Sequence, residues 1–339
     1  MTVPPTGPIT PTPVAVVMVV RNEEQHLPEA VASVLEQDHP GPLRIALAVG
    51  PSRDGTERVA RELAAADPRV LVVPNPTGRT AVGLNAAVAA TDEPVVVRVD
   101  GHAVLPPGYV RRGVEILQET GAVNVGGVMA ATGTTSYERA VAAAMSSPFG
   151  VGGGRFHYGG KPGPADTVYL GIFRREALEA VGGYDEHYTR AQDWELNHRL
   201  RGAGGLVWFA PELRVTYRPR ATLRALAKQY RDYGRWRRVV MRQHTDSVRW
   251  HYLVPPVTLL GLLAGGGLVL LGQPIGWLAP AAYGVANLSA SVLTGRGMRA
   301  LDAVRLPPVF ATMHLTWAWG FLSSRRGLSR LTSSPGPAQ

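Results

Sequence analysis

Four apolar runs of strand length, Val14 to Val20, Leu43 to Val49, Val70 to Val73 and Pro94 to Val99, alternate with stretches of helix length. The stretches between them, Leu27 to Glu36, Thr56 to Ala66 and Arg79 to Ala90, read as amphipathic helices. This rhythm, sustained to about Val128, predicts an α/β domain wound on a parallel sheet. Runs so rich in valine are expected to be buried on both faces, and ligands of such sheets bind beyond the carboxyl ends of the strands. Here those ends are Arg21-Asn22-Glu23, Gly50 to Asp54 and Asp100-Gly101-His102.

The second constraint lies at the other end of the chain. No charged residue occurs between Tyr252 and Thr294, which is long enough for two membrane spans broken at Gly272-Gln273-Pro274. A third apolar stretch, Leu306 to Ser324, follows a basic loop with Arg296, Arg299 and Arg305. A hairpin returns that loop to the arginine-rich side, whereas a third span would carry Arg325, Arg326 and Arg330 outside; a re-entrant or interfacial placement avoids this. Core helices of a soluble protein are the competing reading.

The formal charge of +9 fits nucleic acid, an anionic membrane or an anionic substrate, and its placement decides. Arg231, Arg235, Arg237, Arg238, Arg242 and Arg249 crowd just before the first long apolar stretch, where a membrane protein carries its cytoplasmic positive charge. A membrane is therefore the expected partner and nucleic acid is not. The segment Met1 to Pro13, rich in Pro and Thr with no basic residue before Arg21, is expected to be disordered and not a signal peptide. The domain that follows is placed in the cytosol, at a multi-pass attachment to the cell membrane. With no cysteine in the chain, thiolate metal sites and cysteine nucleophiles are excluded, so any metal is held by oxygen or imidazole.

Between Ser147 and Pro164 the sequence turns Gly- and Pro-rich, predicting a flexible loop that is either a lid over a site or plain surface. Two segments carry chemistry. Asp100 and His102, one residue apart at a strand end, can point to one metal bound by a diphosphate, although Asp-x-His is also the pattern of a solvated turn. The segment Gln192 to Leu200 reads as a helix, with Trp194, Asn197 and His198 on one face and Leu196 and Leu200 on another. Asp193 at its start is favoured by the helix dipole and is equally suited to take a proton from an acceptor hydroxyl.

Taken in order, these pieces resemble the family 2 glycosyltransferases with the GT-A fold, and most closely the subgroup like the succinoglycan glucosyltransferase. The stretches that carry the resemblance are Val19-Val20-Arg21-Asn22-Glu23-Glu24, Ser52-Arg53-Asp54-Gly55-Thr56, Gly78-Arg79 with Gly83-Leu84-Asn85, and Arg98-Val99-Asp100-Gly101-His102-Ala103. It continues through Gly171 to Arg175, Gly182-Gly183-Tyr184-Asp185-Glu186, the Asp193 segment, and Gln229 to Trp236.

The resemblance implies an inverting hexosyltransferase with a nucleotide-sugar donor, a UDP-sugar first among them. It implies Asp193 as catalytic base, Asn22, Glu23, Asp54, Arg79 and Asp100 around the nucleotide sugar, and Asp100 with His102 on a divalent metal. Gln192, Trp194, Arg235 and Trp236 would close over donor and acceptor, although Trp236 also suits a membrane-interface anchor. Imidazole as second ligand favours Mn²⁺ over Mg²⁺. The chain departs from the family with Val49-Gly50-Pro51 where acidic residues contact the base, and with Asp232 where the Arg-Trp motif begins. The expected acceptor is a lipid-linked saccharide in exopolysaccharide or cell-envelope glycan synthesis, within a polysaccharide assembly complex. An inactive membrane scaffold and a nucleotidyltransferase of related fold are the rival readings.

The expected organisation is a GT-A domain over residues 14–238, with a nucleotide and metal half (14–128) and an acceptor half (129–238). A basic juxtamembrane segment (239–251), a membrane region of two or three helices (252–324) and a tail (325–339) follow.

Overall fold

The structure is a computed structural model that describes residues 11–326 and 328. The expected disorder at the N-terminus falls, for residues 1–10, outside the described residues, as does most of the tail, Arg330 included.

Along the chain run β1 (Val14–Val20), α1 (Leu27–Leu35), β2 (Leu43–Val49), α2 (Thr56–Ala66), β3 (Val70–Pro74), α3 (Thr80–Ala89), β4 (Val95–Asp100), α4 (Tyr109–Thr120) and β5 (Asn124–Ala131). Then come α5 (Ser136–Met145), α6 (Pro148–Val151), α7 (Arg155–Tyr158), β6 (Gly163–Pro164), β7 (Tyr169–Arg174), α8 (Arg175–Ala180), α9 (Gln192–Gly202) and β8 (Val207–Tyr217). The remainder is helical: α10 (Leu223–Gln243), α11 (Val254–Leu270), α12 (Leu278–Thr294), α13 (Ala300–Ala303) and α14 (Leu306–Leu322). Two compact units result. One is the chain through Ala130 with Gly159–Tyr217; the other is Ala131–Tyr158 with the chain from Arg218 onward.

The first unit is built on a sheet of order β3-β2-β1-β4-β7-β5-β8-β6. β1 pairs in parallel with β2 and β4, and β2 with β3, while β7 runs antiparallel to β4 and β5. The chain winds outward from β1 to β3 and then returns to the other side of β1 for β4. That reversal opens a crevice at the carboxyl ends of β1 and β4, the usual place for a ligand in such sheets.

Strand alternation sorts the side chains onto two faces. Val95, Val97 and Val99 join α1, α2 and α4 in one core, and Val96 joins α3 and α9 in the other, through Leu84, Leu196 and Leu200. By the same alternation Arg98 and Asp100 share the face of Val96.

In the second unit α14 packs against α10, α11, α12 and α5. Leu306, Val309, Phe310, Met313, Ala318 and Phe321 of α14 are buried. The α10–α14 crossing is backbone-close: a Cβ on Gly234 would sit 2.0 Å from the Trp317 carbonyl oxygen, and one on Gly320 2.0 Å from that of Arg231. The third apolar stretch thus has a protein-facing side along much of its length, a feature that hydropathy alone does not reveal.

By contrast α11 leaves Val257 65%, Leu263 60% and Leu270 89% exposed, which no soluble core helix does. Among the described residues one helix, Trp250–Leu270, is long and apolar enough to cross a membrane, against the two or three expected. The expected break between the first two apolar helices is present, with Gly272 at φ 75° and a 3-10 turn over Pro274–Trp277.

The Gly- and Pro-rich segment is more ordered than a loop, holding α6 and α7 and the passage from the second unit back to the first at Tyr158–Gly159. Ser147 caps α6 by accepting from Phe149 N–H, and Pro148 supplies a fixed φ at the first helical position.

Asp302 on α13 is buried and receives Nε and Nη2 of Arg139 at 2.7 and 3.0 Å. The Arg139 guanidinium, then Ser136, holds its carboxyl down at about 2. A folded-state value below the unfolded one of about 4 stabilises at neutral pH, and this contribution fades as pH falls from about 4 through 2. The gap in thermal midpoint between wild type and Asp302→Asn is therefore expected to narrow between pH 6 and pH 3. A gap that stays constant would contradict the pairing.

Candidate active site

The ends of β1 and β2 are stitched together by side chains. Asn22, in a left-handed conformation (φ 55°) that asparagine tolerates, donates its N–H to Ser52 Oγ at 3.1 Å and accepts from Arg53 N–H at 2.8 Å. Asp54 accepts from Glu24 N–H at 3.2 Å through Oδ2 and from Thr56 Oγ1 at 2.5 Å through Oδ1. The Thr56 hydroxyl foremost keeps the Asp54 carboxyl below its usual range. Asn22 and Asp54 thus spend these contacts on shaping the crevice wall.

Gly101 lets the end of β4 run against β1, since a Cβ there would lie 2.9 Å from Val20 Cγ1. The approach brings His102 to Glu23, with Nδ1 2.9 Å from Oε1. When Nδ1 carries the proton toward Glu23, Nε2 carries the lone pair a metal needs, which is how carboxylates commonly orient metal-binding histidines.

On the opposite wall, Arg79 at the start of α3 donates Nη2 to the carbonyls of Glu186 and His187. Asn85 clamps Tyr184 by accepting its N–H at 2.9 Å and donating to its carbonyl at 2.8 Å. These contacts fix the segment leading into α9. Arg199 ties α9 back to the same segment through the carbonyls of Val181 and Gly183, at 2.5 and 2.8 Å.

Asp193 then lies in the first turn of α9, and Arg98 joins it to the strand end. Arg98 Nη2 donates to Asp100 Oδ1 at 2.8 Å and Nη1 to Asp193 Oδ1. Only 10% of the Arg98 side chain is exposed, against 25% of that of Asp100 and 37% of that of Asp193. Burial works against the charge on Arg98, and the carboxylates of Asp193 and Asp100 outweigh it, raising the guanidinium pKa well above normal. Among the described residues neither Asp100 Oδ2 nor Asp193 Oδ2 has a hydrogen-bond partner. Tyr184 is buried close by; burial first, then the Asp193 carboxylate, pushes its hydroxyl pKa up.

Asp100, His102, Glu23 and Asp193 therefore belong to one unit, with Arg79 fixing the approach to α9. Gln192 is buried and Trp194 stacks on His198, with ring centroids 5.2 Å apart and planes at 13°. Asn197 does not share that face: it is buried and accepts from Asn124 on β5 at 2.6 Å. Arg235 and Trp236 lie on α10 in the second unit, and Trp236 is buried, which argues against an interface anchor.

Sequence reasoning missed Arg98 and Tyr184 as site residues. The signal for Arg98 was available: an arginine inside a valine run that is buried on both faces needs carboxylate partners.

Among the described residues no three His, Asp or Glu side chains gather as a metal cluster. Asp100 and His102 fit a divalent ion as a partial set of one oxygen and one imidazole, a set suited to an ion that also takes diphosphate oxygens.

A parallel half with Asp100 at a strand end, joined through Arg98 to Asp193 on α9, and an antiparallel extension fit a domain of the nucleotide-sugar transferase type. Residues 15–182 match the family described as Glycosyl transferase family 2. The chain is 32% identical to the succinoglycan biosynthesis protein ExoA of Rhizobium meliloti over 318 residues, 92% of this chain and 95% of that protein. It is 20% identical over 246 residues, 70% and 76% of the two chains, to a Methanococcus voltae transferase. That enzyme is named as acting on dolichyl N-acetyl-glucosaminyl phosphate. Among solved structures, the Pyrobaculum calidifontis mannosyltransferase PcManGT, in complex with GDP-Man and Mn²⁺, shares the fold. Its TM-score is 0.59 at 19% identity, covering 92% of this chain and 88% of that one. The chain belongs to glycosyltransferase family 2, with a GT-A fold, and is a glycosyltransferase.

Proposed function

We propose that this glycosyltransferase moves a sugar from a nucleotide-sugar donor, a UDP-sugar first among the candidates, to a hydroxyl of a lipid-linked saccharide. The reaction inverts the anomeric centre and serves exopolysaccharide or cell-envelope glycan synthesis, within a polysaccharide assembly complex, at the cytoplasmic face of the cell membrane. The observation that carries this reading is the Asp193 carboxylate, fastened by Arg98 at Oδ1 and with Oδ2 left to accept a proton.

In the proposed step the acceptor oxygen attacks the anomeric carbon from the face opposite the leaving group, and the bond to the nucleotide diphosphate breaks. The acceptor proton passes to Asp193. A divalent ion on Asp100 and His102, Mn²⁺ in preference to Mg²⁺, supplies charge neutralisation for the leaving diphosphate when bound. Asn22, Glu23, Asp54 and Arg79 shape the nucleotide side, and Gln192 and Trp194 close over donor and acceptor. The nucleotide and metal half is residues 14–128 and the acceptor half 129–238. Residues 252–324 are the membrane region, with two or three helices. Support for the acceptor class comes from the two named relatives, one of polysaccharide biosynthesis and one acting on a lipid-linked sugar phosphate.

The test is nucleoside diphosphate release by detergent-solubilised protein with Mn²⁺ and membrane lipid extract, across UDP-, GDP- and dTDP-sugars. Release from one donor, abolished in Asp100→Ala, is expected. Release of inorganic diphosphate instead, or no release from any donor by folded protein, would overturn the reading.

A further inference from the structure

We propose that Arg98 is a positioning residue, a single guanidinium that holds the proton-accepting carboxylate of Asp193 and the strand-end carboxylate of Asp100 in one fixed geometry. The inference rests on the reading of Asp193 as base.

Three observations lead to it. Arg98 sits in the apolar run Val95, Val96, Val97, Val99, where an apolar side chain is the cheaper choice for stability. Buried ion groups of this kind are often no more stabilising than well-packed hydrophobic residues. A charge kept at 8% exposure in such a run calls for a reason other than packing.

The second observation is how α9 begins. Its N-cap, Ala191, stands at φ 62° and offers no side-chain cap, and the chain before it turns at Gly182 and Gly183, both at positive φ. The N-cap of α9 thus supplies no side-chain hydrogen bond to the first turn. The Arg98 Nη1 bond to Asp193 provides one, from a strand 95 positions earlier in the sequence.

Third is the shape of the group. A guanidinium is planar and presents Nη1 and Nη2 in different directions, so it can meet two carboxylates at once; an ammonium is a point charge on a flexible stem. Arg98 uses that fork across β4 and α9, taking Oδ1 of each aspartate and leaving Oδ2 of each without a partner among the described residues. Tyr184, buried close to the pair, lies near enough to feel these charges, and burial raises its hydroxyl pKa. Ion pairing is stronger in such surroundings than in water.

The experiment uses full-length, detergent-solubilised protein with Arg98→Lys, Arg98→Met, Asp193→Asn and the double variant Arg98→Lys with Asp193→Asn. Turnover, donor KM, thermal midpoint, calorimetric binding of nucleoside diphosphate and Mn²⁺ binding by electron paramagnetic resonance are read together. Arg98→Lys is expected to fold, to bind nucleoside diphosphate and Mn²⁺ within about threefold of wild type, and to lose about 10²-fold in kcat, the scale of a misplaced reacting group. In the Asp193→Asn background the same lysine is expected to cost less than about threefold more, because its effect runs through Asp193.

If Asp193→Asn alone keeps wild-type turnover, the base assignment fails. If Asp193→Asn is inactive while Arg98→Lys turns over normally, or the two losses multiply, the positioning role fails and the base assignment stands. Should both Arg98 variants lose fold together with nucleotide binding, Arg98 is structural and the proposal is overturned.

Discussion

Asp193→Asn is expected to lower kcat by about 10³-fold, within the 10² to 10⁴ range of general-base contributions, while nucleoside diphosphate still binds. The substitution is isosteric, and the asparagine carbonyl can keep the contact with Arg98 Nη1 that Asp193 Oδ1 makes. What changes is the second position. Oδ2, which has no hydrogen-bond partner among the described residues, becomes an NH₂ group that cannot take the acceptor proton.

Arg98 keeps its 2.8 Å bond to Asp100 in this variant, so the buried cation is not stranded. Initial rates at saturating donor and acceptor, with calorimetry for the nucleotide, separate the two effects. A merely structural Asp193 would lose binding and thermal stability together with rate. A variant that folds, binds and turns over within about threefold of wild type would remove Asp193 from the chemistry. Asp193→Glu is a useful companion: it keeps a proton acceptor but lengthens the arm, and displacement of about 1 Å can cost about 10²-fold.

The halves of this protein were unequally legible from sequence. β2 and α2 occupy the expected spans, Leu43–Val49 and Thr56–Ala66, because valine- and alanine-rich runs bounded by turn residues need no partner to be recognised. Asp100 and His102 could be placed at a strand end for the same local reason. Arg98 could be matched only to Asp100, two residues on; its link to Asp193 spans 95 positions and exists only once α9 lies across the sheet. Asn197 was expected beside Trp194 and His198, but the two rings stack and Asn197 turns inward to Asn124. α6 and α7, four residues each, are too short for any periodicity to show. The side of α14 that faces protein was hidden because hydropathy does not distinguish a lipid partner from a helix partner.

That side carries the other large expected effect. Within a helix, alanine ordinarily stabilises by about 1 kcal/mol over glycine. At Gly320 the sign should reverse: a Cβ would stand 2.0 Å from the Arg231 carbonyl oxygen and 2.8 Å from its carbon, and neither is a side chain that can swing away. Gly234 faces the same obstacle at Trp317, so relief requires α10 and α14 to separate. Separation would also pull the Arg238 guanidinium of α10 away from the Phe321 ring of α14, over which it sits at 4.7 Å. Overpacking of this kind costs about 1 to 3 kcal/mol, and more when backbone must move. Gly320→Ala is expected to lose about 2 kcal/mol, and Gly320→Leu to leave the second unit protease-sensitive. Gly267→Ala is the control, since nothing lies within 4 Å of a Cβ there on α11. Thermal unfolding in detergent, followed by tryptophan fluorescence and limited proteolysis, compares the three. If Gly320→Ala melts with wild type and Gly267→Ala, the α10–α14 crossing is not held at backbone contact.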